Sequence, residues 1–370
     1  MGKNKVNVTQ LSLLLLLVIT GGKFLSLPAL LYKDVGHDSW LVICVAFAWD
    51  LIGLCFLLWG IKLNKSKLSL DDVLDKTVTK VGSKIVLLIF FVMFMCRTLI
   101  LMDSCYNTFA VTFDITTNWI LFMLPIVAVA AFAIHRGFNS VARVSQVLFA
   151  LIFISLVAIL VYPATKAQFS QLLPLGEVGA GKIFGTAFLR SFWFSDYVFI
   201  YFVLENVQVK KHLFTPIITS FAIGVALTVL LNAVFVVLFG SFAEFGNIAM
   251  SKIGMFSVSE STDGRWDWIT LTVWLTSVII KIIIFIFCAY KCVEKIFGFH
   301  FNKINLPTVG VIAAILILPM FVPMIEVVDN FVYWCVIPFA LVQYLLPLFM
   351  PLFVRLAHRN PRLEVVNEQS

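Results

Sequence analysis

Apolar runs of about 20 residues, separated by short polar breaks, recur along the whole chain, and a run of that length is what an α-helix needs to cross a bilayer. Reading the runs between breaks predicts ten helices, over residues 10–31, 40–62, 84–109, 118–134, 141–162, 183–207, 213–239, 268–293, 306–323 and 331–355. The first run is interrupted about halfway by Thr20-Gly21-Gly22-Lys23, and Pro28 follows. Lipid cannot hydrogen-bond exposed backbone, so an unwound, charged segment at that depth persists only against protein or a water-filled cavity. Two glycines also lower the barrier to unwinding. The simpler alternative is a glycine-softened but continuous helix in which Lys23 reaches a partner. The sixth run carries a second polar insertion at comparable depth, Arg190-Ser191-Phe192-Trp193-Phe194-Ser195-Asp196.

An odd number of helices per half inverts the second half relative to the first. Helices one to five (about 10–162) and six to ten (about 183–355) therefore read as inverted-topology repeats, each opening with an interrupted helix. The halves share no visible residue identity, so the repeat rests on helix count and on the two breaks. The expected fold is an all-α membrane protein, one transmembrane domain over 1–370, with ten transmembrane helices in a five-plus-five inverted-repeat bundle.

Charge sets the orientation. Of the 27 Lys and Arg residues, four (Lys23, Arg97, Arg190 and Lys281) lie in the interior of spans, away from their inside ends. If the N-terminus is cytoplasmic, only Lys33, Lys166, Lys182, Lys252 and Arg265 of the remainder fall outside and the other eighteen fall inside. The positive-inside rule then places both termini in the cytoplasm. The net charge of +7 follows from this loop bias and calls for no acidic partner or nucleic acid. The first inside loop, 68–82, has Asp71, Asp72 and Asp75 ahead of Lys76 and Lys80, with apolar residues at helical spacing; it reads as a short surface helix whose charge order suits its dipole. The stretch 240–267 is the longest outside loop, either a lid or partner contact or simply a connection.

Composition removes most other classes. With 61% hydrophobic and 13% charged residues, the chain is no soluble globule, and its 37 Phe residues are expected in packing and lipid contact. The seven cysteines show no CxxC spacing and read as small buried hydrophobes, while the five histidines are scattered over loops and tails. No metal or other cofactor is expected, and no nucleophile elbow, phosphate loop or HExxH suggests an enzyme. The basic N-terminus ahead of the first run lacks a cleavage pattern and reads as a retained helix.

Five charges lie near the middle of their spans: Lys23, Asp50, Arg97, Asp196 and Lys281. Each costs on the order of 2.5–3.5 kcal/mol to insert, so they are expected to pair across the bundle interior. Three bases against two acids leave one positive charge, suited to an anionic ligand group such as a carboxylate. Arg190, Asp103 and Glu205 lie nearer helix ends, within reach of water. Ser277 and Lys281 are one turn apart and face the same way. Two roles are open to Lys281: a built-in cation bound to the freed carbonyls of Thr20 and Gly21, or a lysine in a permanent salt bridge with Asp50 or Asp196.

Several short segments carry a family resemblance from Val8 to about Pro351. They are Gln10-Leu11, Leu25-Ser26-Leu27-Pro28, Gly36-His37-Asp38-Ser39-Trp40, Arg136-Gly137, Val141-Ala142-Arg143-Val144 and the run from Trp274 to Lys281. In their order and spacing the chain resembles the permease-like B subunit of bacterial spore-germination receptors, a branch of the amino acid–polyamine–organocation transporter superfamily. The resemblance implies a ten-helix bundle in the inner membrane of a dormant endospore. There it would sense amino acids or similar nutrients together with a larger A subunit and a lipoprotein C subunit. Lys23 departs from the small or apolar residue usual in the family, and Phe194-Ser195-Asp196 stands where the family tends to Gly-aromatic-Glu, with Asp196 in place of the glutamate.

The function expected is a non-enzymatic germinant-receptor subunit that binds a small amphoteric nutrient between the two breaks. The nutrient carboxylate would meet the amide end near Gly22 and Lys23, its amino group would meet Asp196 or Ser195, Phe192 and Trp193 would enclose it, and Thr20 and Gly21 complete the expected ligand-binding set. Asp50, Arg97, Ser277 and Lys281 would form the surrounding charge network. The alternative is a proton-coupled amino-acid transporter that uses the same charges.

Overall fold

A computed structural model of the chain describes residues 5–64, 69–113, 118–208, 212–245, 266–298 and 324–359. These residues are almost entirely helical, with a single isolated bridge between Val6 and Val207. Among the described residues, six segments are long and apolar enough to cross a membrane: Leu27–Leu63, Lys80–Ala110, Phe138–Lys166, Phe214–Phe239, Thr272–Phe297 and Val336–Arg359. Val8–Thr20, Trp119–Ala133 and Ala180–Leu189 are shorter apolar helices. The expected span 306–323 and most of the outside loop lie outside the described residues.

Helix α1 (Val8–Thr20) stops where the sequence breaks. Thr20 Oγ1 turns back to donate to Leu16 O at 2.9 Å, and the Gly21 N–H closes the last turn on Leu17 O at 2.8 Å. Gly22 then takes φ +86°, a region that side chains disfavour. The chain resumes as α2 (Leu27–Val35), whose second residue, Pro28, sits where its missing N–H costs nothing. Gly36 reverses the chain at φ +59°, and α3 (Ser39–Leu63) returns through the bundle.

The expected surface helix is α4 (Leu70–Thr77), which Ser69 caps through its bonds to Asp72. Next come α5 (Lys80–Phe113), α6 (Trp119–Arg136) and α7 (Phe138–Lys166), the last two joined at Gly137 with φ +87°. The sixth run divides into α8 (Ala180–Leu189), tight turns at Ser191–Trp193 and Asp196–Phe199, and the single turn α9 (Ile200–Val203). Helices α10 (Phe214–Phe239) and α11 (Trp266–Phe297) follow. The last run is α12 (Met324–Trp334), α13 (Val336–Ala340), a π-helical turn at Leu341–Leu345 and α14 (Leu346–Arg359).

The tightest pairings are α5 with α11, α1 with α10, α3 with α14 and α7 with α11. They enclose the two breaks within one continuous apolar core. Large apolar side chains on α6 and α7, among them Leu121, Val147 and Ile154, face outward, as expected of helices whose solvent is hydrocarbon. Several of the short segments quoted above have structural work. The Asp38 carboxylate accepts from the Gly176 and Val178 N–H groups at 2.9 and 3.2 Å, fastening the α7–α8 connection. Ser39 Oγ donates to Asn232 on α10 at 2.9 Å.

A charge cluster between two broken helices

The two breaks meet inside the bundle, and Asp196 is their centre. Its carboxylate takes Lys23 from the first break, Lys281 from α11 at 3.0 Å and Arg97 from α5 at 3.6 Å. All four side chains are buried, none more than 4% exposed. A carboxylate with three cations repays its own desolvation and part of theirs, which is the condition for burying charge at all.

Asp50 on α3 is arranged differently. Both its oxygens serve Ser195, taking the backbone N–H at 2.7 Å and the hydroxyl at 2.7 Å. Ser195 has φ +59°, the only non-glycine residue with positive φ among the described residues. Such a conformation costs of order 1–3 kcal/mol and persists when its surroundings over-determine it; here the two bonds to one buried carboxylate do so. The left-handed Ser195 turns the chain so that Phe194 O accepts from Arg97 while Asp196 faces the cations.

Aromatic faces complete the cluster. Lys23 Nζ lies 5.4 Å from the Phe47 ring centre and 5.6 Å from that of Phe194. Arg97 sits 5.3 Å from Phe192 and 5.7 Å from Phe285, and Lys281 5.5 Å from Phe285. These quadrupoles add attraction for cations at buried positions. With its amide oriented to satisfy both neighbours, Gln343 in the π-helical turn donates to Ser191 O at 3.2 Å and accepts from Arg97 at 3.1 Å. The carbonyl of Gln343 accepts from Tyr197 Oη at 2.9 Å.

The sequence-derived candidates separate into two groups. Gly22, Lys23, Arg97, Phe192, Trp193, Asp196 and Lys281 line one small central cavity of about 20 Å³, together with Ile100, Leu101 and Phe285. Thr20, Gly21, Ser195, Asp50 and Ser277 do not line it. Thr20 is turned back on its own helix, Ser195 and Asp50 are occupied with each other, and Ser277 Oγ donates to Trp274 O at 2.7 Å.

The run from Trp274 to Lys281 does pack beside the first break. Trp274 stacks on Phe24 with ring centres 6.0 Å apart, and a Cβ on Gly21 would come within 3.0 Å of Ser277 O. The Lys281 ammonium, however, bonds Asp196 and not the carbonyls of Thr20 and Gly21. Of the two roles open to Lys281, the structure has the salt bridge with Asp196 and not the cation on those carbonyls: a full carboxylate charge outcompetes carbonyl dipoles. Lys23, expected as an anchor open to a ligand, is likewise already paired.

Phe192 and Trp193 also line a second and much larger cavity, about 400 Å³, at the Asp34 end of the bundle. The two aromatic residues thus contribute to the walls of both cavities. Arg190, expected near water, forms a bidentate pair with Asp34 at 2.7 and 3.1 Å on this cavity's wall. The pair ties α8 to α2, the segments flanking the two breaks. At the opposite end the chain is fastened three times. Val6 N–H donates to Asn206 O at 2.8 Å, Gln208 N–H donates to Val6 O at 2.9 Å, and Lys295 on α11 joins Asp71 of α4 to Glu205, the latter at 3.2 Å.

Six long apolar helices among the described residues mark an integral membrane protein. Over residues 5–325 the chain matches the family described as spore germination protein, and it belongs to that family of spore permeases, which is of permease type and not a family of enzymes. No curated protein matches the chain.

Proposed function

We propose that this chain is the nutrient-binding, permease-like subunit of a spore germinant receptor, built as ten transmembrane helices in two inverted repeats, about 10–162 and 183–355. The observation that carries the reading is the buried cluster on Asp196, whose small cavity shares Phe192 and Trp193 with a cavity of about 400 Å³. That volume lies within the range of small-molecule sites. With both termini cytoplasmic, the cavity faces outward. An amino acid entering it would displace Phe192 and Trp193, its ammonium replacing a lysine on Asp196 and its carboxylate taking the released Lys23 beside Gly22. Closed and nutrient-bound arrangements then differ in their ion pairs, and a ligand shifts such an equilibrium through its differential affinity. The altered bundle would signal to A and C subunits in the spore inner membrane, or open a path for ions or water.

Asp196→Ala tests the reading: nutrient-triggered germination is expected to disappear while the protein stays in the membrane. An unchanged dose response would remove Asp196 from the site. The five buried charges also suit a proton-coupled amino-acid transporter. Uptake of labelled amino acid into proteoliposomes driven by a pH gradient would favour that second reading.

A further inference from the structure

The central cluster has a charge and a cavity that its own residues leave unfilled. Lys23, Arg97 and Lys281 gather on the Asp196 carboxylate while the Asp50 carboxylate turns to Ser195; at formal charges that is three cations against two anions, and all five side chains are buried. One positive charge therefore remains within the bundle, where an uncompensated charge is strongly disfavoured. Arg97 shows where it is concentrated. Its Nη2 donates to Phe194 O, but its Nε and Nη1 have no hydrogen-bond partner although fully enclosed, and Nη1 lies 3.6 Å from Asp196, too far for a bond. Leaving charged donors unmade costs more than leaving neutral ones unmade.

Arg97 lines the central cavity together with Lys23, Lys281 and the positive-φ Gly22. Its volume of about 20 Å³ exceeds the minimum that a single water-sized body needs. A carboxylate-bearing nutrient is far too large for a cavity of this volume. A neutral water would meet the donors yet leave the charge uncompensated.

We propose that, with no nutrient bound, this cavity holds one small monovalent anion, chloride by size and charge, on Arg97 Nε and Nη1 beside Lys281 and Lys23. The anion brings the cluster to formal neutrality and satisfies the orphaned guanidinium donors. This goes beyond the nutrient site proposed above, because it concerns the resting protein. On that reading, chloride is the placeholder that a nutrient carboxylate displaces.

The test uses the full chain purified in detergent and exchanged into gluconate at constant ionic strength. Radioactive chloride is expected to be retained saturably at one per chain. Chloride and bromide, but not the bulky gluconate, are expected to raise the unfolding temperature with the logarithm of concentration, since an ion that binds only the native state stabilises it. Arg97→Gln is expected to weaken retention by about tenfold or more, with Arg97→Lys intermediate. The wild-type measurement needs no variant. Absence of saturable retention, with the same unfolding temperature in chloride and gluconate, would overturn the proposal. So would chloride binding that persists undiminished in a folded Arg97→Gln chain. Because these measurements contain no nutrient, a separate thermal shift with amino acids distinguishes failure of the nutrient reading from failure of this one.

Discussion

Single residues at the two breaks combine features that are unfavourable in isolation. Ser195 holds a left-handed conformation, and Asp50 is a buried carboxylate with no cation within ion-pair distance among the described residues; each accounts for the other through two 2.7 Å bonds. Asp50→Ala removes both bonds, and freeing Ser195 should let the Phe194–Asp196 turn relax. We expect a loss of about 3 kcal/mol or more, because a buried N–H and hydroxyl are orphaned while strain remains. Asp50→Asn keeps one acceptor and should cost less. Thermal unfolding of the two variants decides: equal stability would mean that Asp50 does not hold Ser195 in place. Gly22 offers a sharper steric case. At φ +86° a Cβ would come within 2.3 Å of Leu101 Cδ2, so Gly22→Ala meets a conformational and a packing penalty together. It should destabilise by about 1–3 kcal/mol, whereas Gly185→Ala, with open space around it, should be nearly neutral.

At the scale of elements, the fastenings at the two ends join different partners. Asp34 and Arg190 clasp α2 to α8 beside the open cavity, while Lys295 holds α4 and the end of the sixth run to α11. Burial alone would push the Asp71 carboxyl up, but the Lys295 ammonium and the Ser69 hydroxyl more than reverse this and hold it below the usual carboxylate range. A group whose folded pKa is depressed stabilises the fold above its unfolded value, and that contribution is lost as pH falls through the folded value. The Asp71 contribution should therefore be intact at neutral pH and decay only below about pH 4. Asp71→Asn should lower stability at neutral pH by about 1 kcal/mol and flatten the acid limb of an unfolding-temperature profile. A variant profile parallel to the wild type down to the acid limit would show that the α4 clasp contributes nothing.

For the whole molecule, the proposed orientation places the 400 Å³ cavity outside and the Lys295 clasp inside. Gly185→Cys on the cavity wall should react with a membrane-impermeant thiol reagent added to intact cells, and Glu205→Cys only after permeabilisation. Parent chains with the native cysteines provide the background. The reverse pattern would invert the topology and detach the cavity from any nutrient arriving from outside. The same experiment tests the nutrient route, since a bound amino acid should slow labelling at Gly185→Cys.

Hydropathy and local chemistry determined much of this by themselves. An apolar run must become a helix in lipid because backbone groups have no other partner, and the Gly-Gly and Ser-Phe-Trp-Phe-Ser-Asp segments could not continue one comfortably. The same desolvation argument makes Lys23, Asp50, Arg97, Asp196 and Lys281 an interior set from sequence alone. Tertiary structure alone decided who pairs with whom. Asp196 gathers all three cations while Asp50 turns to Ser195, a choice set by the rotation and register of α3, α5 and α11, which local pattern does not encode. For the same reason Phe285, Phe47, Gln343 and the Asp34–Arg190 clasp carried no readable signal: one ring among 37 Phe residues looks like any other until packing places it over a charge.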